Sequence, residues 1–290
     1  MMNQQIIDLY DRFTHGFINR RDFLDRLTAL AGSAAAAAAL LPLLQNDYAQ
    51  AAIVAENDPR LVAETASFDG PGGKFSGYLV RPTSKGKRPA VLVIHENRGL
   101  NPHIKDVARR LATEGFLAYA IDLLSPLGGT PDDEEKGREL FGKINRADPS
   151  ANVAAVSFLK KHPESTGKVG AVGFCAGGEL LNQLAAASPE LDAAVVYYGR
   201  PVAADKVPSI KASLLLHYAE NDSGVNAGVP AFEEALKANN KKYTKYQYPG
   251  TQHAFNNDTG GARYNKEQAD IAWGRTLAFF KETLGAPPKA

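Results

Sequence analysis

Val172-Gly173-Phe174-Cys175-Ala176-Gly177-Gly178 joins an apolar stretch of strand character to a stretch of helical character, and it holds the only cysteine of the chain. The spacing is that of the G-x-S-x-G nucleophile elbow, with sulfur where serine oxygen usually stands. A sharp strand-to-helix turn forces the nucleophile's backbone toward costly φ/ψ values, so the residues two before and two after it must lack a side chain. Gly173 and Gly177 meet that demand. The same turn sets the sulfur over a helix N-terminus, where unpaired N–H groups and the helix dipole favour a thiolate. A lone cysteine elsewhere would be read as a small core residue. Here both glycines and the strand–helix context argue for a nucleophile.

Working outward, strand and helix patterns alternate. Residues 61–68 and 74–81 alternate in strand fashion around Asp69-Gly70-Pro71-Gly72-Gly73, which predicts an antiparallel hairpin at a sheet edge. Residues 90–94 form a continuous apolar run, as in a strand buried on both faces. A helix over 104–114, a strand over 117–121 and one or two helices between Ser125 and His162 follow. Beyond the elbow strand (169–173) and helix (176–187) come strands at 193–197, 213–218 and 243–248 and helices at 227–238 and 268–284. Repeated βα units with short links imply an α/β fold with a mostly parallel, doubly wound sheet. Its chemistry belongs at the carboxyl ends of the strands.

A nucleophile needs a base and an acid that orients the base. Asp222 follows the 213–218 strand and His253 follows the 243–248 strand, giving the chain order nucleophile, acid, histidine. Glu220 is a rival acid closer to its strand. Acyl transfer also needs donors for the developing oxyanion. The N–H of Ala176 is one candidate. The second comes from the loop His95-Glu96-Asn97-Arg98 after the 90–94 strand, with the Asn97 N–H preferred over those of Glu96 and Arg98.

Composition narrows the alternatives. The 290 residues carry 33 basic against 32 acidic side chains, for a formal charge of +1, so no basic surface for nucleic acid or an anionic membrane is indicated. One cysteine excludes an intrachain disulfide framework, and the six histidines show no pair at short helical spacing, so neither metal nor cofactor is expected. The expected partner is a small-molecule ester or lactone, with the chain a monomer or a small homo-oligomer. Residues 1–51 read as a separate extension and 52–290 as the catalytic domain. In the extension, Arg20-Arg21-Asp22-Phe23-Leu24 precedes an uncharged, alanine-rich stretch over 27–44, with small residues at Ala49-Gln50-Ala51. This resembles a twin-arginine export signal and a periplasmic or secreted destination. The alternative is a retained helix that packs on the domain or on a partner in the cytoplasm. A membrane span is disfavoured by Gly32, Ser33 and Pro42 within a stretch of marginal length.

Gly173-Phe174-Cys175-Ala176-Gly177-Gly178, the downstream Asp222 and His253, the His95-Glu96 loop and Tyr197-Tyr198-Gly199 together resemble the dienelactone hydrolase family over roughly residue 75 to the C-terminus. The resemblance implies an α/β-hydrolase fold without a large lid domain. It also implies a Cys-His-Asp triad (Cys175, His253, Asp222) acting on enol lactones or related esters of the carboxymethylenebutenolide type. A glutamate matching Glu96 would contact the resting thiol and help to generate the thiolate. One departure concerns the arginine that binds the substrate carboxylate shortly after the catalytic histidine, where this chain has Asn257. Arg98, Arg200 and Arg263 are the candidate replacements, with Tyr198 a further substrate contact. A non-catalytic small-ligand binder and a redox-sensing thiol on the same fold are the alternatives to a hydrolase.

Overall fold

A computed structural model describes residues 2–47 and 52–288. Three helices lead the chain: α1 (Gln4–Thr14), α2 (Arg20–Ala31) and α3 (Ala34–Leu44). A hairpin of β1 (Leu61–Gly70) and β2 (Gly73–Pro82) comes next. Then follow β3 (Arg88–Ile94), α4 (Pro102–Thr113), β4 (Leu117–Asp122), α5 (Glu134–Phe141), α6 (Ser150–Lys161), β5 (Ser165–Phe174), α7 (Ala176–Ala187) and β6 (Ala193–Tyr197). The chain closes with β7 (Ser213–Asn221), α8 (Ser223–Asn226), α9 (Val229–Ala238), β8 (Tyr243–Gln252) and α10 (Lys266–Leu284).

All the strands join one sheet in the order β1-β2-β4-β3-β5-β6-β7-β8. The β1–β2 and β2–β4 pairs are antiparallel and the pairs from β4 through β8 are parallel. The predicted edge hairpin is present, with a ladder that runs further than its alternation suggests, to Gly70 opposite Gly73. Gly72 at φ +81° lets the chain reverse across Pro71-Gly72, so Asp69 and Gly70 remain in the strand. Every residue of β3, β4 and β6 is buried, which is why these segments read as unbroken apolar runs. Phe280 and Leu284 of α10 stand over Gly170 of β5, where a Cβ would come within 2.8 Å of the Phe280 ring. The helix predicted from residue 227 begins instead at Val229, because Pro230 suits a first helical turn and the short α8 precedes it.

The leading helices form a small unit with its own core. Ile6, Leu9, Tyr10 and Phe13 line one side of α1 and meet Phe23 and Leu27 of α2 and Ala37 and Leu44 of α3. Gly32 at φ +81° ends α2, and the Ser33 hydroxyl caps α3 by accepting the Ala36 N–H, so the alanine-rich stretch is bent by 112°. Among the described residues no single helix is long and apolar enough to cross a membrane. The small-residue stretch at 49–51 lies outside the described residues.

Candidate active site

The elbow has the strain its spacing predicts. Cys175 sits at φ 55°, ψ −117°, between the end of β5 and the start of α7. A Cβ at Gly173 would lie 2.3 Å from the Gly177 carbonyl oxygen, and one at Gly177 would lie 2.3 Å from that of Ile94. Backbone on both sides leaves no flexible group to give way. The Cys175 N–H donates to the Tyr197 carbonyl at 3.1 Å and its carbonyl accepts the Glu179 N–H, so the strained residue is held at both ends.

Asp222 and His253 stand where β7 and β8 end, and the structure brings them together. The His253 Nδ1–H donates to Asp222 Oδ2 at 2.6 Å, which leaves Nε2 facing the sulfur. That Nε2 lies within 4.8 Å of Cys175 Sγ and is buried without a hydrogen-bond partner. Glu220, the rival acid, instead accepts the Gly250 N–H at 2.7 Å and leaves His253 to Asp222. Tyr198, at φ 38°, packs its ring 5.0 Å from that of His253, with its hydroxyl buried and unpartnered.

The hydrogen bond to the sulfur comes from an unexpected place. His15, at the end of α1, places Nε2 3.3 Å from Cys175 Sγ. Its Nδ1–H donates to the Asp11 carbonyl at 2.7 Å, which fixes the ring. The His15 and His253 rings meet edge to face at 4.7 Å. Sulfur and two imidazoles therefore form a group whose donor atoms all lie within 4.8 Å of one another, a set of types suited to a soft divalent metal such as zinc. No signal short of the fold joins His15 to Cys175, because 160 residues separate them.

The loop after β3 and the three candidate arginines are drawn into the same seam. The Asn97 side chain donates to the Thr14 carbonyl at 2.7 Å. The Arg98 guanidinium donates to the Tyr10 hydroxyl at 3.1 Å and pairs with Glu134. Arg263 lies over the Tyr10 ring, 3.7 Å from Asp11, and donates to Asn46. Arg98 and Arg263 are both buried. Arg200 lies over the Phe17 ring but also lines the space beside Cys175 and His253. That space continues into a cavity of about 300 Å³ bounded by α1, Phe17, Arg200 and the Asp222 loop. Asn257, standing where the resemblance would put an arginine, donates to Glu96 Oε2 at 2.9 Å, and Glu96 Oε1 is buried without a partner. The thiol contact implied for Glu96 is made in this structure by His15.

Electrostatics follow from the geometry. Burial alone would raise the Cys175 thiol, but the His253 and His15 imidazoles beside it outweigh burial and bring it down to about 6. Burial disfavours a charged His253, yet Asp222 and Cys175 hold its pKa well above the ordinary histidine value. His15 is raised in the same way, against burial, chiefly by Cys175. Burial raises the Asp11 carboxyl even though His253 and Arg263 pull it down. The two imidazoles beside the sulfur thus favour its thiolate, the nucleophilic form of cysteine.

A model of the dienelactone hydrolase family matches residues 75–284, the greater part of the chain. The chain belongs to the dienelactone hydrolase family. It is an ester or lactone hydrolase of this α/β-hydrolase group, with no large lid domain inserted among the described strands. A second model, described as YqhI-like, matches residues 2–32. A carboxymethylenebutenolidase-like protein of Saccharolobus solfataricus is 32% identical over 251 residues, covering 74% of this chain and 96% of its own. A solved dienelactone hydrolase-type structure from Klebsiella pneumoniae superposes with a TM-score of 0.69 at 31% identity, covering 77% of this chain and 99% of that one. A dienelactone hydrolase-like promiscuous phosphotriesterase from metagenomic libraries gives a TM-score of 0.69 at 26% identity, covering 78% of this chain and 100% of that one.

Proposed function

We propose that this dienelactone hydrolase family member cleaves activated carboxylic esters and lactones through a Cys175-His253-Asp222 triad and a thioester intermediate. The observation that carries this reading is the 2.6 Å bond from His253 to Asp222, made from post-strand loops, with the free Nε2 turned to the strained elbow sulfur. The Cys175 thiolate attacks the carbonyl carbon. The Ala176 N–H at the open end of α7 and the Asn97 N–H receive the oxyanion. Collapse expels the leaving oxygen as an alkoxide or enolate and leaves an acyl-sulfur bond. His253, held in one tautomer by Asp222, then takes a proton from water as the oxygen attacks the thioester. An enolate leaving group suits a sulfur nucleophile, because the tetrahedral adduct would otherwise expel the thiolate. Of the three candidate arginines, Arg200 is the one that faces the cavity, so it is the proposed anchor for a substrate carboxylate.

The test is to incubate the protein with activated esters and with lactones of the carboxymethylenebutenolide type, quench in acid and map the acyl adduct by mass spectrometry. Acyl mass on Cys175, together with turnover that falls at least about a thousandfold in Cys175→Ala, is the expected outcome. Label elsewhere, or turnover that survives the substitution, would overturn the triad. An unlabelled protein that binds these molecules without converting them would point to a small-ligand binder.

A further inference from the structure

From the seam between α1 and the elbow we infer that His15 is a further catalytic residue: it holds the proton of the Cys175 thiol, passes it to the leaving group and leaves His253 free to work on water. This rests on reading Cys175 as the nucleophile. The hydrogen-bond inventory supplies the first argument. The Nδ1 of His15 faces a carbonyl and the Nδ1 of His253 faces a carboxylate, so each carries its proton there. Each Nε2 in the neutral form is then a lone pair aimed at one sulfur, and a thiol has a single proton to share between them. Transfer of that proton to His15 breaks one S–H bond and forms one N–H bond, and the N–H then donates to the thiolate across the 3.3 Å contact. His253 Nε2 makes no hydrogen bond of normal geometry to the sulfur, although its charge still acts on it.

Two helix ends argue the same way. Cys175 is the N-cap of α7, where the dipole favours a negative sulfur. His15 is the C-cap of α1, whose last carbonyls favour a positive ring. The charged groups around His15 are Asp8, Asp11 and Arg12 on its own helix, Cys175, His253 and Asp222 across the seam, and Arg200 and the Arg146–Glu179 pair along the cavity wall. In the catalytic cycle the thiolate becomes the acyl-sulfur bond, so the His15 proton loses its partner as negative charge appears on the leaving oxygen. His15 then donates that proton to the leaving group. After His253 has taken a proton from water and the carboxylic acid has left, that proton returns to His15 and restores the pair.

The experiment measures the rate at which iodoacetamide alkylates Cys175 as a function of pH in the full-length chain, with no ester present. The unaltered protein should show its inflection at about 6. In His15→Gln the inflection should climb by about one unit or more. In His15→Ala, added imidazole should bring the rate at neutral pH back toward that of the unaltered protein. Circular dichroism on both variants reports whether the fold is kept, and imidazole rescue excludes a purely structural role. An inflection that stays at about 6 in two folded variants would overturn the assignment. One zinc ion per chain that is lost with His15→Gln would also overturn it, since the two Nε2 atoms and Sγ would then be ligands. So would a native protein found only as chains beginning after residue 51, which lack His15. If the inflection moves but no ester or lactone turns over, the substrate reading falls and the His15 assignment stands.

Discussion

Two folded parts meet at Cys175 and are held together in different ways. The hydrolase part wraps its core around strands with no exposed residue, and that rigidity fixes the positive φ of the nucleophile. The N-terminal part is a three-helix unit whose core reduces to a few side chains around the Phe13 and Phe23 rings, stacked at 4.7 Å, with Tyr10 against them. Its contacts with the hydrolase part include hydrogen bonds, an Arg263–Asp11 ion pair and guanidinium-on-ring packing: Arg98 and Arg263 to Tyr10, Arg138 to Phe13, Arg200 to Phe17 and Asn97 to Thr14. A unit this small rarely holds a stable core without a supporting surface. One part therefore stores the strain of the site, while the other contributes a group to a site whose elbow is already complete. The separate family models, 75–284 and 2–32, fall on the same division.

The sharpest way to break this contrast is Gly177→Ala. The new Cβ would sit 2.3 Å from the Ile94 oxygen and 2.5 Å from the His95 oxygen, both backbone atoms at the end of the buried β3. Nothing in that contact can rotate away, so β3 and α7 must separate. A loss of about 3 kcal/mol or more in urea unfolding, with turnover gone, is expected. Wild-type unfolding with full turnover would show that the elbow is not over-determined by the sheet.

Next in size is Phe23→Ala, which removes the ring stacked on Phe13. Deleting such a buried ring costs about 3–5 kcal/mol, but here the loss should stay local to the leading helices. Amide hydrogen exchange over 4–44 should accelerate by orders of magnitude, while the sheet exchanges as before and its urea midpoint holds. Should the whole molecule instead unfold together at a lower midpoint, the two parts are one cooperative unit and the contrast fails.

The sequence makes one part far more legible than the other, and the reason is range. An elbow is a local steric problem, so Gly173 and Gly177 reveal it within five residues. Asp222 and His253 are recognisable because each follows an apolar strand, and a parallel sheet carries strand ends to a common rim. The β1–β2 hairpin is legible from its glycine-rich turn. His15 lacks any such local mark. Its partners lie far along the chain, and Arg20-Arg21 followed by alanines reads most simply as an export leader. Ile6, Leu9, Tyr10 and Phe13 at helical spacing mark an amphipathic helix but not the surface it covers. The fate of Arg98 and Arg263 was equally out of reach, since both look like free cations until Tyr10 and Asp11 are folded against them.

The smallest effect concerns a single bond across the seam. Gln4 and Gln252 exchange reciprocal amide hydrogen bonds at 2.6 Å on an exposed surface, tying the start of α1 to the residue before His253. Water competes for both amides, so the pair should contribute only about 0.5–1 kcal/mol. A double-mutant cycle with Gln4→Ala, Gln252→Ala and both together, read by urea-dependent exchange of α1, isolates that coupling. Turnover should change less than about threefold, because Thr14–Asn97 and Tyr10–Arg98 still hold α1 in place. A coupling several times larger, with His15 released from the sulfur, would mean that the seam is fastened at one point rather than shared among many weak contacts. The N-terminal unit would then work as a hinged cap over the nucleophile.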